Sequence, residues 1–220
     1  MGELTFFYGT MNCGKSTLAL QMHHNAVRAG KAVLLFTKHD REGAVISSRI
    51  GLRQPAMTVA DDTDLYAVVR DRIRSGERVD ELVCDEAPFY TPVQIEQLAR
   101  IVDDFDVDVH AFGLLTDFTT HLFPGGQRLI ELADRRRELQ VEARCWCGAR
   151  GTHNARTVGG LIVREGSLVV VGDVDGGAAA AGEVAYEVLC RRHHREGVTR
   201  AVADSAPTVH EILAERPQVL

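Results

Sequence analysis

One stretch near the start of the chain has the residue types and spacing of a phosphate-binding loop. It follows the pattern G-x-x-x-x-G-K-[ST] and consists of Gly9, Thr10, Met11, Asn12, Cys13, Gly14, Lys15 and Ser16. Backbone N–H groups of such a loop surround nucleotide phosphates, the lysine neutralises the β- and γ-phosphate oxygens, and the hydroxyl ligates Mg²⁺. An apolar run precedes the motif and a helical pattern follows it, which favours a nucleotide site over a chance glycine-rich turn.

Two adjacent carboxylates, Asp85 and Glu86, follow a second apolar run that ends at Cys84. Downstream of a phosphate loop, the end of a buried strand is where the acid that holds Mg²⁺ lies. We therefore expect Asp85 to act on the water shell of the metal and Glu86 to act as a general base. The two carboxylates could exchange these roles, and taken alone the pair would be an ordinary polar strand end.

A third set of residues has the donors of a tetrahedral zinc site: Cys145, Cys147, Cys190 and His193. Because sulfur and nitrogen fill all four positions, the set is typical of a closed structural site without an open coordination position. The C-x-C spacing is tighter than the usual C-x₂-C, and buried inert cysteines are the alternative. His194 is a rival ligand, although two residues between cysteine and histidine suit a tight turn better than three.

These candidate residues need elements that bring them together. Short apolar runs predict strands over residues 4–8, 32–36, 81–84 and 107–112, and helical spacing predicts helices over residues 16–29, 63–75 and 91–103. Alternation of strands and helices indicates an α/β fold in which helices cover both faces of a parallel sheet. The fold class expected here is that of a P-loop NTPase.

The pattern of predicted elements changes near residue 140, where cysteine-rich turns and a strand pair replace the alternation of strands and helices. We expect a nucleotide-binding domain over residues 1–140, a zinc-binding domain over residues 141–200 and a polar tail over residues 201–220. The second of these contains a Gly/Ala-rich segment at residues 173–182.

Composition excludes several classes of protein. The chain has 220 residues, 25 Lys and Arg against 31 Asp and Glu, and a formal net charge of −6, which disfavours a general nucleic-acid binder. The run of arginines at residues 135–137 is accordingly interpreted as a solvated helix face. No apolar run is long enough to span a membrane, and no secretory signal is visible. Five scattered cysteines indicate a reducing compartment, so we expect a soluble, cytoplasmic protein.

Further residues extend these motifs in an order shared with one family. They are Met11 in the loop, Ala87 and Phe89 after the carboxylates, Lys38 to Arg41 and Ser48 to Leu52 after the second strand, then Gly113, Leu114, Thr116, Asp117, Phe118, Phe123, Pro124, Gly125 and Tyr186. Because it has these residues in this order, the sequence resembles the type II thymidine kinases, the family of the cytosolic cellular and bacterial enzymes. The resemblance extends over nearly the whole chain to about residue 195.

The resemblance implies transfer of the ATP γ-phosphate to the 5′-hydroxyl of thymidine, with Glu86 as general base and with Asp85 and Ser16 holding Mg²⁺. It implies that residues 9–16 and residues 85–88, which are Asp85, Glu86, Ala87 and Pro88, bind ATP. It implies a thymine pocket formed by Met11, Leu114 and Phe118, and a lasso segment that contributes Val171, Gly172 and Tyr186. It also implies the structural Zn²⁺ site, a homotetramer and feedback inhibition by dTTP.

The chain departs from the family pattern at Pro88, where a glutamine is expected; proline has no backbone N–H and cannot copy the hydrogen bonds of an amide side chain. Two other functions remain open from the residues alone. One is a P-loop regulatory ATPase or nucleotide switch with a structural zinc ribbon, and the other is a zinc-ribbon nucleic-acid-binding module with an accessory ATPase. Turnover of ATP that requires thymidine would distinguish the kinase from both.

Overall fold

The computed structural model describes residues 1–38, 44–167 and 184–205. The chain divides into two compact units, Met1–Ala143 and Arg144–Leu220, and each is described by itself.

The first unit is built on a six-stranded sheet in the order β5-β2-β6-β7-β1-β8. Every pair of neighbours in this sheet is parallel, and the separate β3-β4 pair is antiparallel. The strands are β1 Leu4–Gly9, β2 Val33–Thr37, β3 Val45–Ser47, β4 Arg53–Pro55, β5 Met57–Thr58, β6 Glu81–Cys84, β7 Asp108–Leu114 and β8 Arg135–Glu138. A parallel sheet of this kind collects the carboxyl ends of its strands at one edge.

The helices of the first unit are α1 Lys15–Arg28, α2 Leu65–Arg74, α3 Pro92–Phe105 and α4 Pro124–Leu132. Local capping explains where two of them begin. The Asp64 carboxylate accepts a hydrogen bond from the Ala67 N–H at the start of α2, and Thr91 forms a capping box with Gln94 at the start of α3. Within the described ranges no helix is both long enough and apolar enough to cross a membrane.

Alternation of side chains along the strands separates two hydrophobic clusters. On one face Phe7, Val83 and Phe112 pack with Ala19 and Leu20 of α1. On the other face the strands contact α2, α3 and α4 through a larger cluster of buried residues that includes Phe6, Leu82, Leu65, Leu98 and Leu129. Helices therefore cover both faces of a parallel sheet, and the predicted α/β P-loop fold class is confirmed.

The interpretation of residues 135–137 as a helix face is wrong. Arg135, Arg136 and Arg137 lie on β8, an exposed strand at the edge of the sheet that pairs in parallel with β1. All four residues of β8 are exposed, so the sequence there has no apolar residue at period two that would indicate a strand. A run of charged residues alone does not distinguish an exposed strand from an exposed helix. Charged side chains on such an edge protect it from pairing with other chains.

The described residues of the second unit form a three-stranded antiparallel sheet in the order β10-β9-β11 and two short helices. The elements are β9 His153–Val158, β10 Leu161–Val163, β11 Val184–Leu189, α5 Arg191–Glu196 and α6 Arg200–Ser205. Within the described part of this unit the buried apolar cluster is small and is formed by Cys145, Ala155 and Leu189, with Trp146, Ile162 and Cys190 packed against them.

Candidate functional site

Three motifs meet at the carboxyl edge of the parallel sheet. Gly9, the last residue of β1, pairs with Leu114, the last residue of β7. Asp85 follows the last residue of β6, and its N–H donates to the carbonyl oxygen of Phe36 on β2 at 2.8 Å. Because these strands are parallel, the phosphate-binding loop, the carboxylate pair and the segment after β7 all begin at this edge.

The loop between β1 and α1 has a backbone suited to anions. Asn12 and Gly14 both have left-handed conformations, with φ of 65° and 82°. Gly14 precedes α1 and has no side chain to cap the first-turn N–H groups of the helix, so these donors can serve an anion. Lys15 is buried, with 8% of its surface exposed, and its ammonium donates to the carbonyl oxygen of Thr10 at 2.8 Å.

An arginine of the β3-β4 hairpin contacts the phosphate-binding loop. The Arg49 guanidinium at the hairpin tip donates to the side-chain oxygen of Asn12. A positive charge therefore lies beside the phosphate-binding loop in addition to that of Lys15. Asp40 and Arg41, which the resemblance also singled out, lie outside the described residues.

The carboxylate pair lies in a strained turn. Glu86 has a φ of 53°, a left-handed conformation that costs a non-glycine residue on the order of 1–3 kcal/mol. Its N–H donates to the Asp85 carboxylate at 3.1 Å, and its carbonyl oxygen accepts from the Phe89 N–H at 3.0 Å. Asp85 is buried, with 2% exposed, whereas Glu86 is half-buried. The turn thus separates an inner carboxylate from an outer one.

Burial of Tyr90 fixes the inner side of this turn. Its hydroxyl donates to the Asp85 carbonyl oxygen at 3.3 Å, and burial raises the pKa of the phenol well above its ordinary value. The hydroxyl is therefore protonated at neutral pH and remains a donor to the backbone of the turn.

Pro88 packs against glycine backbone from two other motifs. A Cβ atom on Gly113 would lie 2.0 Å from the Cδ atom of Pro88, and a Cβ atom on Gly125 would lie 2.3 Å from the Tyr90 carbonyl oxygen. The rings of Phe89 and Phe123 meet edge to face, with centroids 4.7 Å apart. Close packing, which requires glycine at both positions, joins the turn after Glu86 to the end of β7 and the start of α4.

The candidate nucleoside residues are divided between the units. In the first unit, Met11 is half-buried in the loop, Leu114 is buried at the end of β7, and Phe118 is buried in the segment after it. The Asp117 carboxylate organises that segment by accepting from the N–H groups of Thr119 at 2.8 Å and His121 at 3.0 Å. Val171 and Gly172 lie outside the described residues, and Tyr186 lies on β11 of the second unit.

The four predicted metal ligands are brought together in the second unit. Ligand atoms of Cys145, Cys147, Cys190 and His193 all lie within 4.8 Å of one another. The Cys145 thiol is 3.4 Å from Nδ1 of His193. A hydrogen bond of 2.8 Å from the Gly148 N–H to the Cys145 carbonyl oxygen closes the turn between these residues. The backbone N–H of His193 lowers the pKa of Cys190, whereas burial raises the pKa of Cys145.

The two adjacent histidines have different surroundings. His193 belongs to the cysteine cluster, and the Trp146 ring stacks on it with centroids 4.3 Å apart and planes at 12°. His194 is buried elsewhere, with its ring 5.2 Å from that of His153. The structure thus brings His193, the sequence-preferred ligand, to the cysteines. The indole N–H of Trp146 donates to the Val198 carbonyl oxygen at 3.0 Å, which holds the stacked ring.

Arg156 is a residue that the sequence analysis missed. It is buried on β9, and its Nε donates to the Tyr186 hydroxyl at 3.1 Å. The available signal was a lone arginine in a strand whose neighbour, Ala155, belongs to the core. Spacing within the sequence could not show which residue on β11 it contacts.

Comparison with known proteins gives one consistent result. The thymidine kinase family model matches residues 2–194. A thymidine kinase of Streptomyces coelicolor is 59% identical over 214 residues, covering 97% of this chain and 98% of that protein. A thymidine kinase of Cutibacterium acnes is 53% identical over 204 residues, with 92% and 93% covered. A thymidine kinase of Ruegeria pomeroyi is 42% identical over 200 residues, with 89% and 95% covered.

Proposed function

This chain belongs to the thymidine kinase family, and on that basis we propose that it transfers the γ-phosphate of ATP to the 5′-hydroxyl of thymidine. The products are ADP and thymidine 5′-phosphate, a precursor for DNA synthesis obtained by nucleoside salvage. The observation that carries the proposal is the family match over nearly the full chain, together with a phosphate-binding loop and a carboxylate pair at one sheet edge. A regulatory ATPase or nucleotide switch is not favoured.

Residues 9–16 would bind the triphosphate, and Ala87 and Pro88 would also contribute to the ATP site. The donor set fits Mg²⁺ and phosphate, because it combines uncapped helix N–H groups, a lysine ammonium, the Ser16 hydroxyl and the Asp85 carboxylate. When bound, Mg²⁺ neutralises charge on the β- and γ-phosphate oxygens. Lys15 would exchange its bond to the Thr10 carbonyl oxygen for a phosphate oxygen, and Ser16 and Asp85 would hold the metal.

Glu86 would accept the proton of the 5′-hydroxyl as it attacks the γ-phosphate. Its position in a left-handed turn, less buried than Asp85, supports this division between an outer base and an inner metal-side acid. A general base of this kind typically contributes about 10²–10⁴-fold to the rate. The rest of the catalysis comes from positioning and charge neutralisation, which phosphoryl transfer chiefly requires.

For the nucleoside, we assign Met11, Leu114 and Phe118 to the thymine pocket, and Val171, Gly172 and Tyr186 to the lasso. Two observations support the pocket. Leu114 and Phe118 are buried apolar side chains, and Leu114 pairs with Gly9, the first residue of the phosphate-binding loop, at the carboxyl edge of the sheet. Feedback inhibition by dTTP and a homotetrameric assembly belong to the same proposal and are supported by the sequence resemblance alone.

The second unit would hold one structural Zn²⁺ through Cys145, Cys147, Cys190 and His193. Three thiols and an imidazole whose ligand atoms lie within 4.8 Å of one another are a donor set compatible with tetrahedral zinc. We propose a kinase domain over residues 1–140, a zinc-binding and lasso domain over residues 141–200 and a C-terminal tail over residues 201–220. None of the five cysteines forms a disulfide, which supports the proposed cytoplasmic location.

The proposal is tested by comparing Glu86→Gln with Asp85→Asn. Glu86→Gln preserves shape but removes the proton acceptor, so kcat for thymidine should fall by about 10²-fold or more while ATP affinity changes little. Asp85→Asn should weaken Mg²⁺-dependent ATP binding as well as the rate.

The readouts are kcat with thymidine and ATP affinity at several Mg²⁺ concentrations. ATP turnover by the unmodified protein that is equally fast without thymidine would contradict the kinase. Near-normal turnover of Glu86→Gln would instead leave the kinase intact and transfer the role of base to Asp85.

A further inference from the structure

Arg156 lies at the centre of the small sheet, directly opposite Tyr186. The two residues form a register pair between β9 and β11. The guanidinium Nε donates to the phenol oxygen at 3.1 Å, and the guanidinium carbon lies 5.6 Å from the centroid of the Tyr186 ring. With 3% of its surface exposed, Arg156 is a buried cation whose hydrogen bonds are directed at specific partners.

A second hydrogen bond extends from the same guanidinium to the chain that follows β10. Its Nη1 donates to the carbonyl oxygen of Ser167 at 2.6 Å. Gly166 allows this approach because the chain turns there with a φ of 115°, a conformation that glycine adopts readily. One planar side chain therefore joins the Tyr186 hydroxyl to the backbone after β10.

These contacts are separate from the zinc-side core. Ala155 and Leu189 belong to the buried cluster with Cys145. Since successive side chains of a strand point to opposite faces, Arg156, next to Ala155, projects from the other face, and so does its register partner Tyr186. Packing around the metal site does not require a guanidinium at this position.

Even with its hydrogen bonds made, a buried guanidinium is weak evidence of stabilisation, because the cost of removing the charge from water offsets the gain. We propose that Arg156 is the positioning residue for Tyr186. It holds the phenol ring in one orientation on the β9-β11 surface, and its charge polarises the O–H group into a stronger donor. The inference rests on the proposed function, in which Tyr186 is a nucleoside-binding residue.

The test uses Arg156→Met, which preserves length and removes the donors, and Arg156→Lys, which preserves the charge without the planar fork. Arg156→Met should raise KM for thymidine about tenfold or more, the range expected for a lost hydrogen bond to a charged donor, and leave KM for ATP unchanged. Arg156→Lys should show a smaller rise. Arg200→Met, at an exposed arginine of the same unit, is the matched control and should leave both KM values unchanged.

Coupling to Tyr186 separates positioning from a merely structural role. In a Tyr186→Phe background the hydroxyl is absent, so Arg156→Met should raise KM for thymidine severalfold less than it does in the unmodified protein. Zinc content should stay the same in all variants. If Arg156→Met does not fold, Arg156→Lys is measured in both backgrounds instead.

An equal increase in both backgrounds, or an equal rise in KM for thymidine and for ATP, would overturn the inference. These outcomes are distinguishable from failure of the proposed function. If the unmodified protein does not phosphorylate thymidine, the proposed function fails; if it does and the coupling is absent, only the role of Arg156 fails.

Discussion

The two units hold their candidate sites in different ways. In the first, the loop and the carboxylates extend from the ends of buried parallel strands, and backbone groups provide many of the contacts. In the second, four side chains converge beside a cluster whose fully buried members are Cys145, Ala155 and Leu189. The first candidate site lies at the edge of a sheet with a large hydrophobic core, whereas the second would, with zinc bound as proposed, contribute to its own fold.

The sizes of the two cores explain this contrast. Two hydrophobic clusters cover both faces of the large sheet, so the first unit buries enough apolar surface to order its chain without a ligand. Among its described residues the second unit has few buried apolar side chains, and a core of that size generally needs a disulfide or a metal to offset the loss of conformational entropy. As ligands of the proposed zinc, the thiols of the second unit would therefore stabilise its fold.

The largest expected effect is the loss of zinc from the second unit. Chelation, or Cys145→Ser, should remove binding free energy of about 10 kcal/mol or more and unfold this unit, while the first unit stays folded. Trp146 is the only tryptophan of the chain, so its fluorescence reports the second unit alone. Binding of a fluorescent ATP analogue reports the first.

The control for this prediction is Cys84→Ala, which removes a buried thiol from the first unit and should leave zinc content unchanged. Fluorescence of Trp146 that is the same with and without chelator, in protein from which zinc has been lost, would remove the proposed contrast between the units.

An intermediate effect is expected where Pro88 meets Gly113. Gly113→Ala would place a Cβ atom 2.0 Å from the proline ring, so the free energy of unfolding should fall by about 1–3 kcal/mol. Combining it with Pro88→Ala should recover part of this loss, because the ring atoms in conflict are absent. Urea denaturation of the single and double variants measures the coupling.

Gly126→Ala is the matched control for this prediction. Its Cβ atom would lie 3.4 Å from the same proline, an ordinary contact, and it lies within α4. This variant should be neutral or stabilising, since alanine is favoured over glycine in helices. Equal losses from both alanines would mean that proximity to Pro88 is not the cause.

The smallest effect is expected at acidic pH and concerns His110, a partly buried residue of β7. Burial lowers the pKa of His110 from its ordinary value of 6.5, against the opposing influence of Glu81 and Asp108 and with the help of Lys31 and Arg137. Below pH 6.5 the unfolded chain therefore binds a proton that the folded chain does not, so stability falls as the pH decreases through this range. His110→Gln should reduce the fall in Tm between pH 7.5 and about 5.5. An identical pH profile for this variant would contradict the prediction.

Several features of this protein could be determined from the sequence by itself. The phosphate-binding loop, the Asp85-Glu86 pair and the cysteine pairs depend on short spacings, and local geometry follows from such spacings directly. The strands and helices that surround these motifs could also be predicted, because the period of the apolar residues along the chain shows which faces of an element are buried. The fold class followed from the order of these elements.

Other features were decided only by the tertiary structure, because they depend on contacts between residues distant in the chain. The edge strand β8 carries three arginines and no apolar alternation, so it could be recognised only by its pairing with β1. Pro88 departs from the family pattern, and only the tertiary structure shows that its ring lies against the backbone of Gly113. Likewise, the pairing of β9 with β11 places Arg156 against Tyr186, a contact that arises from strand register and that spacing along the sequence does not encode.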